Sequence, residues 1–311
     1  MPRSGPLSTS VVGVIVLLAP GQGTQSPGML APWLAAPGAG AALTAWSQAA
    51  GLDLLHLGTG ADAEEIRDTA VAQPLLTAAA LLSWHALDLR PDVVCGHSIG
   101  ELAALAVAGV LDATTAVRVA AERGRAMAAA AAVVPTGMAA VLGGDADEVR
   151  AAADLHGLEV ATVNVAGQVV LGGPVAALDA LAAAPPAGAR VRRLDTAGAF
   201  HTSAMQPAVA RFADLVAGLA PGAATCQVVA NADGAVLTDG RVLLDRLVGQ
   251  LTGPVRFDLC LQAIASLEPT AVVELAPGGT LSAIAKRALP GVALTALKTP
   301  ADLPTPVGAT A

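Results

Sequence analysis

Short unbroken apolar runs alternate along the chain with longer alanine- and leucine-rich stretches, and Gly, Pro and Asp punctuate the joins. Runs of the first kind fit strands buried on both faces, and the longer stretches fit helices, so the alternation predicts an α/β fold with a mainly parallel sheet. Strands are expected at 11–18, 92–95, 225–230 and 271–275. Helices are expected at 71–88, 99–108, 112–131, 204–219, 241–251, 258–266 and 280–288. Pro74 suits the first position of a helix over 74–88, with Gln73 just before it.

The segment 137–196 has a different rhythm. A strand at 138–143 precedes a helix at 145–157 that a glycine closes. Two strands, 159–164 and 168–173, meet at Ala166-Gly167 as a hairpin. A helix over 174–184, opened by Pro174, and a strand at 189–195 complete a β-α-β-β-α-β series, the ferredoxin-like arrangement. The fold class expected is therefore a hydrolase-like α/β core, 11–136 and 197–302, with a small ferredoxin-like subdomain, 137–196, inserted in it. The alanine-rich 126–135 and Gly198 would be its hinges. A ligand cleft is expected where the two parts meet. Residues 1–10 and 303–311 read as tails.

The run 11-VVGVIVLLAP-20 follows Arg3 and so invites comparison with a signal peptide, but no A-x-A cleavage site comes after it. It is too short to span a bilayer as a helix. A fully buried first strand fits it best.

Composition narrows the function. The chain has 311 residues, 54% hydrophobic and 14% charged, enough apolar material for a large core. Tyrosine is absent and Phe and Trp number three each, which disfavours a stacking platform for single-stranded nucleic acid. A net charge of −8 also disfavours a nucleic-acid backbone as partner. Cys95, Cys226 and Cys260 lack metal-ligand spacing; reduced thiols and a cytoplasmic setting are expected, and no metal.

The chemistry centres on 91-PDVVCGHSIGELAALAVAGVLD-112. Two glycines bracket Ser98 where a strand turns sharply into a helix, the context of a nucleophile elbow. There the unpaired N–H groups of a helix start favour developing negative charge. A glycine-bounded turn with an idle serine is the bland alternative. Of the five histidines, His97 is adjacent to Ser98, and neighbouring side chains diverge. His56, His85 and His156 lie in polar or helical settings. His201, in 197-AGAFHTSAMQPA-208, sits in a loop before a helix and is the candidate base, its alternative being a helix-start histidine. The glycine-rich 19-APGQGTQ-25 follows the first strand and can aim N–H groups into a cleft. It matches neither nucleotide-binding glycine pattern.

These residues lie in landmarks that, from about 12 to 302, resemble the malonyl-CoA:acyl carrier protein transacylases of type II fatty acid synthesis and the related polyketide synthase acyltransferase domains. The landmarks are APGQGTQSPGM (19–29), VAQPLL (71–76), GHSIGELAAL (96–105), AERGRAM (121–127), VNVAGQVVLGG (163–173), GAFHTSAM (198–205), LVGQLTGPVRFD (247–258) and ELAPGGTLSAIAKR (274–287). The resemblance implies Ser98 as acyl-accepting nucleophile, His201 as base, and Gln250 as the residue that orients His201 through its backbone carbonyl. It implies an oxyanion hole from the N–H groups of Gln22 and Ile99, and Arg123 as the grip on the malonyl carboxylate. Arg123 could instead be a solvated helix residue, and Gln250 a polar residue at a helix end.

The implied reaction needs no cofactor: malonyl-CoA is the substrate and an acyl carrier protein the partner, with no membrane involved and a monomer expected. Asp195 and Asp258 flank His201 in sequence, and no motif assigns either to a triad. Polyketide domains that prefer malonyl commonly carry HAFH where this chain has GAFH; Phe200 is kept and would crowd a branched acyl group, and Gly198 tilts the reading toward fatty acid synthesis. Arg190, Arg192 and Arg193, and separately Lys286 and Arg287, are candidate basic patches for an acidic carrier; solvated faces are the alternative. A serine hydrolase or thioesterase and a non-catalytic carrier-binding module are the rival functions.

Overall fold

The computed structural model describes residues 13–304; the expected tail 1–10, residues 305–311 of the other tail, and Val11 and Val12 of the first expected strand lie outside the described residues. In chain order the elements are β1 (Val14–Ala19), α1 (Ala39–Ala50), α2 (Leu54–Thr59), α3 (Thr69–Ala86), β2 (Val93–Gly96), α4 (Gly100–Val107) and α5 (Ala113–Ala131). Then come β3 (Thr136–Gly143), α6 (Ala146–Leu155), β4 (Glu159–Val165), β5 (Gln168–Pro174), α7 (Val175–Ala183) and β6 (Ala189–Leu194). The chain continues through α8 (Gln206–Ala217), β7 (Gln227–Val229), β8 (Val236–Leu237), α9 (Gly240–Gly249), β9 (Val255–Arg256), α10 (Phe257–Ser266), β10 (Pro269–Glu274), α11 (Thr280–Ala288) and β11 (Ala293–Ala296).

The larger sheet has the order β11-β10-β1-β2-β7-β8, parallel except for the β7–β8 pair. Its central strands are apolar at successive positions because both faces are covered. Leu17 and Val94 join the core beneath α3, α4, α5 and α8, whereas Val16, Leu18, Val93 and Cys95 join the core beneath α10 and α11. Burying both faces at a period of two residues produces the continuous runs seen in the sequence.

The smaller sheet has the order β6-β3-β5-β4-β9. Neighbours among its first four strands are antiparallel, and Val149 and Ala153 of α6 with Leu178 and Leu181 of α7 cover one face over Ala139, Val141 and Leu171. The β4–β5 turn carries Gly167 at φ +73°, the left-handed geometry a tight hairpin requires. The two-residue β9 pairs parallel with β4, so a segment from outside 137–196 extends this sheet.

Three local expectations are corrected. Asp68 caps α3 by accepting from the N–H of Ala70 at 2.7 Å, so the helix starts at Thr69 and Pro74 lies inside it rather than opening it. The stretch 126–131 belongs to α5 rather than to a hinge, as its alanines favour, and Gly198 is a close-packing position: a Cβ there would stand 2.7 Å from that of Ala131. Pro174 ends β5 and caps α7 instead of being its first residue.

Candidate active site

β2 ends at Gly96 and α4 begins at Gly100, leaving three residues to reverse the chain. Both glycines are sterically required. A Cβ at Gly96 would overlap the backbone of Gly100 and Glu101, and one at Gly100 would overlap the carbonyl of Ala19. Ser98 between them has φ +53°, a left-handed conformation uncommon for a residue with a side chain. That turn lifts its hydroxyl out of the sheet into a cleft of about 760 Å3, which Gln22, Arg123, Phe200 and His201 also line.

His201 reaches the cleft from the loop after β6 and has φ +62°. Its Nε2 lies 2.7 Å from Ser98 Oγ, and its Nδ1 lies 2.7 Å from the carbonyl oxygen of Gln250. A carbonyl only accepts, so Nδ1 carries the proton and Nε2 is left as the acceptor for the serine hydroxyl. Burial pushes the His201 pKa down to about 3, with the Arg123 charge adding to the effect, so the ring is neutral at physiological pH. Asp195 pairs with Arg67 at 2.7 Å and Asp258 with Arg256 at 2.7 Å, so both carboxylates are engaged elsewhere.

Arg123 projects from the middle of α5 and is 1% exposed. Its NH1 donates to Gln73 Oε1 and its NH2 to Gln250 Oε1, each at 2.8 Å, and NH2 stands 3.5 Å from Ser98 Oγ. These side-chain partners are neutral, and Nε is buried without an acceptor among the described residues. Burial lowers its pKa to about 10, which leaves it cationic. The solvated-helix alternative is therefore excluded: a desolvated guanidinium with neutral partners is poised to receive an anion.

Gln22 follows β1 and reaches Thr69 Oγ1 at 3.0 Å with its side chain. Among the described residues, neither its backbone N–H nor that of Ile99 donates to a protein acceptor. His97 turns away, with Nε2 3.0 Å from Asn164 Oδ1 and its ring edge-on to Phe257. His56, His85 and His156 lie elsewhere on α2, α3 and the end of α6.

Three polar residues of the site carry no assignment from the sequence: Gln73, Glu101 and Asn231. All are buried. Glu101 accepts from the Asn231 N–H at 2.7 Å and from the side-chain amide of Gln250, and burial raises its pKa to about 7. For Glu101 the available signal was a charged residue inside an otherwise apolar helix start. Gln73 and Asn231 carried none beyond being polar next to apolar runs.

The acyl transferase domain family model matches residues 16–299. The malonyl CoA-acyl carrier protein transacylase of Mycobacterium tuberculosis is 52% identical over 93% of this chain and 98% of its own length. Its Escherichia coli K12 counterpart is 34% identical over 91% and 96%. The crystal structure of MCAT from M. tuberculosis superposes with a TM-score of 0.91, again at 52% identity, over 93% of this chain and 98% of that one. A malonyl-transacylase solved in complex with a type II PKS acyl-carrier protein matches with a TM-score of 0.86 at 29% identity, over 93% and 97%. With a buried cation beside its elbow serine and matches over nearly its full length, the chain belongs to the acyl transferase family, among the malonyl-CoA:acyl carrier protein transacylases.

Proposed function

We propose that this acyltransferase moves a malonyl group from malonyl-CoA to the phosphopantetheine thiol of an acyl carrier protein through an ester on Ser98. His201 Nε2 accepts the Ser98 proton as Oγ attacks the thioester carbonyl. The N–H groups of Gln22 and Ile99 hold the oxyanion. The C–S bond then breaks and the coenzyme A thiolate leaves with the proton from His201. In the second half, His201 takes the carrier thiol proton, the thiolate attacks the ester carbonyl, the bond from Ser98 Oγ to the acyl carbon breaks, and Oγ takes the proton back from His201. Arg123 holds the malonyl carboxylate throughout, and Gln250 orients His201 from behind.

Every proton and bond in this scheme is accounted for by side chains and the two thiols, so we assign no cofactor or metal. One chain supplies all the named residues, which fits a monomer. We read 137–196 as a subdomain set in the core 11–136 and 197–302, with the carrier approaching the cleft between them.

The observation that carries the reading is the approach of both His201 Nε2, at 2.7 Å, and Arg123 NH2, at 3.5 Å, to one serine oxygen. Intact-mass measurement after malonyl-CoA treatment tests it. Wild type is expected to gain one malonyl group, which added carrier protein removes, and Ser98→Ala is expected to gain none while remaining folded. An adduct on Ser98→Ala would move the nucleophile elsewhere; malonate release at the same rate without carrier would favour the hydrolase.

A further inference from the structure

β2 and β7 run parallel with Cys95 opposite Val229, so two further residues along each chain bring Asn231 alongside the elbow. Asn231 is 1% exposed, and all four of its polar groups are engaged. Its N–H donates to Glu101 Oε1 at 2.7 Å, and its carbonyl accepts from the Arg256 N–H at 2.7 Å. The side chain spans the turn. Oδ1 accepts from the Ser98 N–H at 2.7 Å, and Nδ2 donates to the Gly96 carbonyl at 2.6 Å. One planar amide thus ties together the two backbone groups on either side of His97, at the only step where the chain leaves β2 for the left-handed Ser98.

Neither bond can come from regular secondary structure. Gly96 ends its strand and Ser98 precedes its helix, so both groups need an outside partner. An amide can satisfy a donor and an acceptor together through two separate atoms; an ionised carboxylate has no donor, and a hydroxyl must serve both from a single oxygen. Holding the Ser98 N–H also fixes the next peptide, whose N–H belongs to Ile99 and donates to no protein acceptor among the described residues.

We propose that Asn231 is a positioning residue for the reaction: its side-chain amide clamps the elbow so that Ser98 Oγ meets His201 and the Ile99 N–H is aimed at the oxyanion. This rests on the assignment of Ser98 as nucleophile. Glu101 fixes Asn231 in turn, through its backbone N–H.

The test measures labelling of Ser98 by a serine-directed fluorophosphonate, together with single-turnover acylation by malonyl-CoA and acetyl-CoA. Asn231→Ala is expected to remain folded by circular dichroism, and to slow labelling and both acylations together by about 10²-fold, the scale of an ångström-sized misplacement of reacting atoms. Its KM for malonyl-CoA is expected to stay within about threefold of wild type, because Arg123 is untouched. Asn231→Asp restores the side chain's shape and mimics the amide only when protonated. Its labelling, as a ratio to wild type, is expected to rise as pH falls from about 8 to 5.5. Glu101 and Cys260 lie against position 231, and Arg123, Arg246 and Asp233 act on Glu101, so the new carboxyl titrates together with Glu101 and the ratio reports that pair.

Wild-type labelling by Asn231→Ala would overturn the proposal, as would an aspartate variant as slow as the alanine one at every pH. Unfolding of both variants would assign Asn231 to the fold and also overturn it. A wild type that is labelled at Ser98 but never malonylated would instead sink the malonyl-transfer reading and leave the labelling comparison intact.

Discussion

Replacing Arg123 by alanine separates recognition of the acyl group from the chemistry of transfer. On the proposed reading the malonyl carboxylate sheds water on entering the cleft and meets the guanidinium, already desolvated and 1% exposed. Its cost of burial is met in the folded protein, so the anion gains the attraction without further reorganisation. Leaving the carboxylate buried without that partner costs about 3–5 kcal/mol, or about 10²- to 10³-fold or more in kcat/KM. Acetyl-CoA carries no carboxylate. Its loss arises from Gln73 Oε1 and Gln250 Oε1, each stripped of a donor at 2.8 Å, from the lost approach of NH2 to Ser98 Oγ at 3.5 Å, and from any shift these transmit to the His201 contact; about tenfold bounds it. Arg123→Ala should therefore flatten or invert the malonyl-over-acetyl preference. Arg123→Lys should fall between, keeping the charge while losing the two-pronged geometry. The assay is kcat/KM for both acyl-CoAs on wild type and both variants. Equal proportional losses for malonyl and acetyl would refute the argument and leave Arg123 a structural residue.

Two further outcomes are expected. Burial, reinforced by the Arg123 charge, lowers the His201 pKa to about 3, and a base works when neutral, so acyl-enzyme formation should persist well below the ordinary histidine value of 6.5. Between those values the unfolded chain binds a proton that the folded site refuses, so this group makes stability fall as pH falls. An acid limb near pH 7 that disappears in Glu101→Gln belongs to Glu101, whose pKa burial raises to about 7; a limb there that persists would refute the neutral buried base. On the carrier side, Arg193 is paired with Asp179 on the opposite face of β6 from Arg190 and Arg192, which reduces that patch to two exposed cations. If either Arg190 and Arg192 or Lys286 and Arg287 dock an acidic carrier, charge reversal should raise KM for carrier and leave malonyl-enzyme formation unchanged. Unaltered carrier kinetics at both patches would show them to be solvated faces.

The parts of the fold legible in the sequence are those where one physical demand dominates. Strands buried on both faces must be apolar throughout, so β1, β2 and β10 stood out as runs; a turn with no room for side chains must be glycine, so the elbow stood out as Gly96 and Gly100. Weaker demands left weaker marks. α1 and α2 lie in a stretch rich in Gly, Ala and Pro with little polar contrast, and β8 and β9 are two residues each, too short for a period to register. Pro74 misled because its fixed φ fits any helical position, and only the Asp68 cap reveals where the helix starts. Asn231 was invisible for another reason: its bond to Ser98 joins positions 133 apart in sequence, and only the parallel register of β2 and β7 brings them together.

The same geometry gives a reason for a carbonyl, rather than a carboxylate, to stand behind the proposed base, His201. A carboxylate at His201 Nδ1 would fix the tautomer, but its charge would also lie close to Arg123 and compete with the malonyl carboxylate for the guanidinium. The carbonyl of Gln250 fixes the tautomer at 2.7 Å without adding a charge. Glu101, a carboxylate whose charge acts on Arg123, is held out of direct contact with it by the Gln250 side chain, which donates to Glu101 with Nε2 and accepts from Arg123 with Oε1. A glutamine can do both because its amide has a donor end and an acceptor end. On the proposed reading, Gln250 orients the base with its backbone and keeps Glu101 out of direct contact with the cation with its side chain. Gln250→Glu separates these roles, since it keeps the backbone carbonyl and places a charge against Arg123. It should weaken malonyl transfer far more than acetyl transfer, whereas loss of histidine orientation would slow both alike. Equal slowing would show that the side chain's part lies in holding the backbone, and that Arg123 needs no separation from a carboxylate.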